Sequence, residues 1–107
     1  MARWAKTEYP YNLPQKAGVY LIYLKENSET EYFLGYIGSS SNIRRRFYGH
    51  KIDARRYSSW METPWGTFSD VFVKYRCPKT IGKYAMLEIQ LLKKLSPKFN
   101  KVGYINA

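Results

Sequence analysis

Cysteine is nearly absent from this chain of 107 residues, which carries a single one, Cys77. A lone thiol closes no internal disulfide, and a cysteine-rich metal site is excluded with it. Long apolar runs are missing as well, since nothing approaches the roughly 20 consecutive residues that span a bilayer. The stretch from Met1 to Gln15 lacks the apolar segment of a secretory signal. Repeats, linkers and low-complexity segments are also missing. Acidic residues are scarce, eight against eighteen Lys and Arg. These absences lead to the expectation of an intracellular, cytoplasmic chain with no membrane partner.

What is present fits a globular fold: 45% hydrophobic and 24% charged residues, with aromatics at 18% and eleven tyrosines among them. A chain of this size buries roughly 60–70% of its unfolded surface, enough for one modest core. One domain over 1–107 is therefore expected, with residues 1–16 as an N-terminal arm. The start Met1-Ala2 and the lack of a trailing linker add the expectation of a complete small protein. The net charge of +10 is unevenly placed. Residues 1–40 carry four basic and four acidic side chains, whereas residues 41–107 carry fourteen and four. A solvated basic face is one reading of this asymmetry; a surface that meets a polyanion such as nucleic acid is the other. An anionic membrane fits less well, because no long basic amphipathic helix is present.

Along the chain, the arm contains Trp4, Tyr9 and Tyr11 beside Pro10 and Pro14, and reads as irregular. Gly18 to Lys25 is rich in β-branched and aromatic residues and reads as a strand; Glu31 to Gly38 reads as its hairpin partner. Both are apolar on each face, which suggests a sheet covered on both sides by helices. Ser39, Ser40 and Ser41 are candidate caps for a helix over SNIRRRFYGHK. In residues 51–68 the Arg55, Arg56, Tyr57, Trp60 and Trp65 pattern suggests a short helix and then a loop. A third strand runs from Asp70 to Arg76, and a helix from Thr80 to Leu95 stops at Ser96-Pro97. The expected fold class is α/β in the α+β sense: a three-stranded antiparallel sheet flanked by helices.

The last helix holds the clearest anomaly. Tyr84, Leu87, Leu91 and Leu95 form an inward stripe, and Glu88 lies on or beside it. Glu88 is also the one acid from Val71 onward, among eight Lys and Arg. A carboxylate near a core needs a partner. That partner is a Lys or Arg in a salt bridge, or a hard divalent ion such as Mg²⁺. On the preceding helix, Arg44, Arg45 and Arg46 point about 100° apart, so they cannot all face one place. Arg46 shares its side with His50, four residues on. An Arg there suits a phosphate, and His50 is either a core or capping residue or a proton relay. Tyr20 and Tyr36 are packing residues or phenols whose acidity a nearby Arg or metal-bound water raises.

Gly18-Val19-Tyr20 and Tyr36-Ile37-Gly38, with the tyrosines sixteen residues apart, resemble the paired motifs of the GIY-YIG nuclease family. The resemblance continues through YIGSSSNIRRRFYGH, with Arg46 eight after Gly38 and then His50. It closes on Glu88 and SPKFN, where Asn100 follows the glutamate by twelve residues. It covers residues 17–101 as a family core. Two positions depart from the pattern: Val19 stands for the usual Ile, and Ser39 where many relatives have Lys.

The resemblance implies a DNA endonuclease that hydrolyses phosphodiester bonds with one divalent ion, Mg²⁺ or Mn²⁺, and leaves a 5′-phosphate. Tyr20 and Tyr36 would line the site, one orienting or deprotonating the attacking water. Arg46 would stabilise charge on the phosphate, His50 assist the base, Glu88 hold the metal and Asn100 brace the site. Ser39, Arg44, Arg45, Lys51, Arg55, Arg56 and Trp60 are the expected DNA contacts. A DNA-binding module that has lost catalysis, and a catalytic fragment of a larger repair or homing nuclease, are the alternatives. Phage genomes, including a phage-infected host, mobile elements, and restriction or repair are the settings such a minimal nuclease implies. One site cuts one strand, so monomer and homodimer both stand open.

Overall fold

The computed structural model describes residues 4–7, 12–26, 31–50, 53–54, 61–80 and 82–100, with the backbone alone at 53, 54, 61 and 62. In chain order the elements are β1 (Ala5–Thr7), β2 (Gly18–Lys25), β3 (Phe33–Ser40), α1 (Ile43–Tyr48), β4 (Asp53–Ala54), β5 (Met61–Thr63), β6 (Gly66–Phe68), β7 (Asp70–Arg76) and α2 (Lys83–Lys94). The main sheet is antiparallel and runs β1-β7-β2-β3.

β2 is the central organiser, because its alternating side chains feed two cores. Tyr20, Ile22 and Leu24 point to one face and join Leu13, Ile43, Phe47, Phe68, Val71 and Val73. Val19 and Leu21 point to the other, joining Ile37 under Leu87, Leu91 and Leu92 of α2. The two-faced apolar pattern thus corresponds to a sheet with α1 on one side and α2 on the other. Opposite β2, the pairing jumps from Tyr23↔Leu34 to Ile22↔Tyr36, which leaves Gly35 as an extra residue in β3. This bulge resets the alternation, so Phe33 and Tyr36 both pack on the first core although three positions separate them.

The sheet has four strands, not the three expected, because part of the arm is not irregular. Ala5–Thr7 adds to β7 as an edge strand, and Leu13 is fully buried in the first core. Trp4 is exposed, so the described part of the arm is held by backbone pairing and Leu13 and not by that indole. A second correction concerns residues 51–68. In place of the expected loop, β4, β5 and β6 form a small antiparallel sheet, while the expected short helix over Arg55, Arg56, Tyr57 and Trp60 lies outside the described residues. β5 turns into β6 through Pro64 and Trp65, with Thr63 paired to Gly66. Gly66 has φ +132°, a conformation that suits a residue without a Cβ.

The helices are shorter than the pattern suggested. α1 is capped by Asn42, whose side chain accepts from the Arg45 N–H at 3.1 Å, and not by the serines before it. Ser40 instead closes the turn that delivers Asn42, its hydroxyl 3.1 Å from the Asn42 N–H. α2 begins at Lys83, after Gly82, and Leu95 has left the helix and is exposed. No helix among the described residues is long and apolar enough to cross a membrane.

Candidate active site

β3 is an edge of the main sheet, and its Tyr36-Ile37-Gly38 segment is where the site assembles. An edge strand exposes unpaired backbone groups. Here the segment after α2 covers them: the Lys98 and Phe99 N–H groups donate to the Leu34 and Gly35 carbonyls at 3.1 and 2.8 Å. Asn100 completes the cover. Its carbonyl accepts from the Ile37 N–H at 2.6 Å and its amide donates to the Ile37 carbonyl at 2.7 Å, all of it buried. One side chain thereby does the work of a neighbouring strand and fixes the backbone between Tyr36 and Gly38.

Gly38 is required by its neighbour across the sheet. A Cβ there would fall 2.5 Å from the Cζ and hydroxyl oxygen of Tyr20, so the absence of a side chain is what lets the phenol lie across β3. Tyr20 is fully buried, with Tyr36 beside it at a ring separation of 6.2 Å. Its hydroxyl is 2.7 Å from Nε2 of His50. His50 lies just past α1, where its N–H bonds the Phe47 carbonyl at 2.9 Å. That turn keeps it on the Arg46 side of the structure.

The electrostatics follow from burial and from Arg46. Burial, with the guanidinium of Arg46 second, pushes the His50 pKa down to about 4, so the imidazole is neutral at pH 7. Tyr20 is pushed well above the ordinary phenol range, first by burial and then by Tyr36; Arg46 pulls the other way and loses. Arg46 does pull the Tyr20 phenol toward acidity, as expected of a neighbouring cation, but desolvation outweighs it. Arg46 is held more firmly charged than usual, chiefly by Tyr20 and then against some desolvation, with Tyr36 adding to it. The charge of Glu88 also reaches Tyr20, raising its pKa further.

Glu88 approaches from the opposite face, on α2. Its Oε1 accepts from the Ser39 hydroxyl at 2.5 Å. No cation pairs with it among the described residues, which removes the salt-bridge reading there. The site therefore straddles an edge strand: Tyr20, Tyr36, Arg46 and His50 on the α1 side, Glu88 and Ser39 on the α2 side. Among the described residues no group of three or more His, Cys, Asp or Glu could hold a metal. A single half-buried carboxylate partnered by a hydroxyl fits a hard ion that keeps most of its waters.

Of the other expected DNA contacts, Arg44 spends its Nε on the Leu13 carbonyl at 2.6 Å and so ties the arm to α1. Arg45 is exposed. Lys51, Arg55, Arg56 and Trp60 lie outside the described residues. Trp65 is the residue that motif reasoning did not place in the site. It stacks between Tyr36, at 5.4 Å, and Phe99, at 5.3 Å, and its ring is 5.7 Å from that of His50. The Pro64-Trp65-Gly66 punctuation marks a turn, but nothing local in the sequence tells where that turn inserts its indole.

The order of these groups along β2, β3, α1 and α2, and their convergence on one strand edge, agree with the motif spacing. No curated protein and no solved structure matches the chain. The model of the GIY-YIG catalytic domain matches residues 16–101, and the chain belongs to that family, whose members are generally endonucleases.

Proposed function

We propose that the protein is a DNA endonuclease that hydrolyses phosphodiester bonds with one divalent ion, Mg²⁺ or Mn²⁺, held by Glu88. The observation that supports this reading most is the meeting of Tyr20, Tyr36, Arg46 and His50 on one side of β3 with the Ser39-bonded carboxylate of Glu88 on the other. Arg46 presents a planar, permanently charged donor set to the phosphate and stabilises charge as it grows on the non-bridging oxygens. Tyr20 is fully buried and bonded to Nε2 of His50, so that pair positions Tyr36, half-buried on the edge strand. The Tyr36 hydroxyl orients the attacking water, which gives its proton to solvent. The oxygen–phosphorus bond to the water forms as the bond to the 3′-oxygen breaks, and the departing 3′-oxygen takes a proton from solvent, leaving a 5′-phosphate and a 3′-hydroxyl. Glu88 would hold the divalent ion, which would supply Lewis-acid stabilisation of the charge that develops on the phosphate. Ser39 fixes the rotamer of Glu88, a task that the Lys of many relatives at that position could not share in the same way.

The test is purified protein with Mg²⁺ on supercoiled, linear and single-stranded DNA. Cleavage should require the ion and vanish in Glu88→Gln while DNA binding and melting stay close to wild type. Cleavage that survives chelation, or survives Glu88→Gln, would sink the metal assignment.

A further inference from the structure

A cavity of about 510 Å³ lies on the flank of α2 away from Glu88, at the end of β7. Its polar wall comes from Arg76, Lys79, Thr80, Lys83 and Gln90, and Leu87 supplies an apolar floor. No acidic side chain lines it, so three cations face one space without a counterion. Lys79 and Lys83 are exposed, whereas the Nε of Arg76 is buried and has no hydrogen-bond partner. Three like charges lining one space are unfavourable, and one ligand class relieves them: an anion with several oxygens, met by the accessible ends of Arg76, Lys79 and Lys83. The volume exceeds what a phosphate fills and lies within the roughly 300–1,000 Å³ of ordinary small-ligand sites. Room is left for a sugar and base over Leu87.

The register places this cavity relative to the candidate active site. Arg76 pairs with Val19, and Val19 pairs with Ser39, the partner of Glu88. Arg76 and Ser39 therefore end one row across three strands, about 10 Å apart at ~4.8 Å per strand. One strand of B-DNA presents a phosphate about every 3.4 Å of axis. Because α2 covers Val19 in the middle of that row, a strand that reaches both ends passes over the helix and spans more than the row itself. We propose that the Arg76–Lys79–Lys83 cavity binds a nucleotide unit of the DNA outside the scissile bond, with its phosphate against the three cations. DNA as the source of that phosphate rests on the nuclease reading above.

The experiment measures binding without chemistry, using fluorescent duplex DNA in chelator across a salt series. Lys79→Gln with Lys83→Gln should flatten the slope of log K against log salt by about 1.8, since each lost phosphate contact contributes ~0.9. A control pair on the same helix, Lys93→Gln with Lys94→Gln, should leave the slope unchanged. Arg76→Gln should also weaken binding, read beside its melting temperature because the arginine stem is partly buried. An unchanged slope in the Lys79/Lys83 pair overturns the proposal, as does equal flattening by the control pair, which would mean diffuse attraction. Saturation by inorganic phosphate or thymidine monophosphate with no effect on the DNA slope also overturns it, in favour of a free-phosphate site. The two readings fail separately. Wild-type protein that binds with the expected slopes but never cuts removes the nuclease reading alone; cutting with an unchanged slope removes the cavity alone.

Discussion

His50 is enclosed by the rings of Tyr20, Tyr36, Phe47 and Trp65, and this packing keeps it neutral. Its folded pKa of about 4 lies below the ordinary 6.5, so in the window between them the unfolded chain binds the proton that the folded chain refuses. Stability therefore rises with pH through that window and falls as pH drops from 6.5 toward 4. The loss is at most about 3 kcal/mol, reduced by the screening that partial exposure allows. Melting curves at pH 7 and pH 4.5 should show the fall in wild type and a smaller one in His50→Gln. Equal falls in both would mean that other groups control acid stability. Arg46 gives a second prediction at this scale. Arg46→Ala should reduce turnover on the order of 10²-fold or more, with a weaker loss of binding. Arg44→Ala should instead loosen the Leu13 attachment and lower stability, because its Nε serves that carbonyl. Comparable turnover losses at positions 44, 45 and 46 would show a general phosphate clamp.

At the scale of elements, β2 and β7 are legible in the sequence, because runs of β-branched and aromatic residues between turn signals leave little choice. The pieces of the site are legible too, since Tyr20, Tyr36, Arg46, His50, Glu88 and Asn100 sit in short local motifs. What joins them is not. Ser39 reaches Glu88 across 49 residues and Asn100 reaches Ile37 across 63, and no local pattern encodes either contact. β1 is invisible for the same reason: three residues become a strand because β7 offers an edge. The β5–β6 hairpin reads as loop in the sequence because its strands are too short for alternation to show. Asn100 makes the energetics of such joins testable. Asn100→Ala leaves a buried N–H and a buried carbonyl of Ile37 unmatched, which should destabilise the fold by about 2–4 kcal/mol. Asn100→Asp keeps the acceptor but sets a buried carboxylate oxygen against the Ile37 carbonyl, so in urea melts at pH 7 it should be at least as destabilised as Ala. An Ala variant as stable as wild type would show that water replaces the amide without loss. Trp65→Leu should lower activity more than stability, because it removes the ring that holds Tyr36 and His50 but retains apolar bulk.

Over the whole molecule, one chain carries one Tyr20–His50 pair, one Arg46 and one Glu88, and on the proposed mechanism these would address one phosphodiester at a time. The second strand of a duplex runs antiparallel, so the same chain must leave and rebind, or a second chain must arrive, before both strands are cut. Fourteen basic against four acidic residues after Ser40 make two free chains repel, whereas DNA, if it is the substrate proposed above, would neutralise that repulsion and retain the chain near its first cut. On supercoiled plasmid with the protein limiting, nicked circles should therefore accumulate first and linear DNA appear after a lag. Raising the protein concentration should shorten the lag more steeply than it speeds nicking, because the second cut then draws on a second chain. Raising salt should slow both cuts, since it weakens the phosphate contacts that retain the chain. Linear product forming without a nicked intermediate at the lowest protein concentration would contradict this scheme, because it requires two sites already assembled on the duplex.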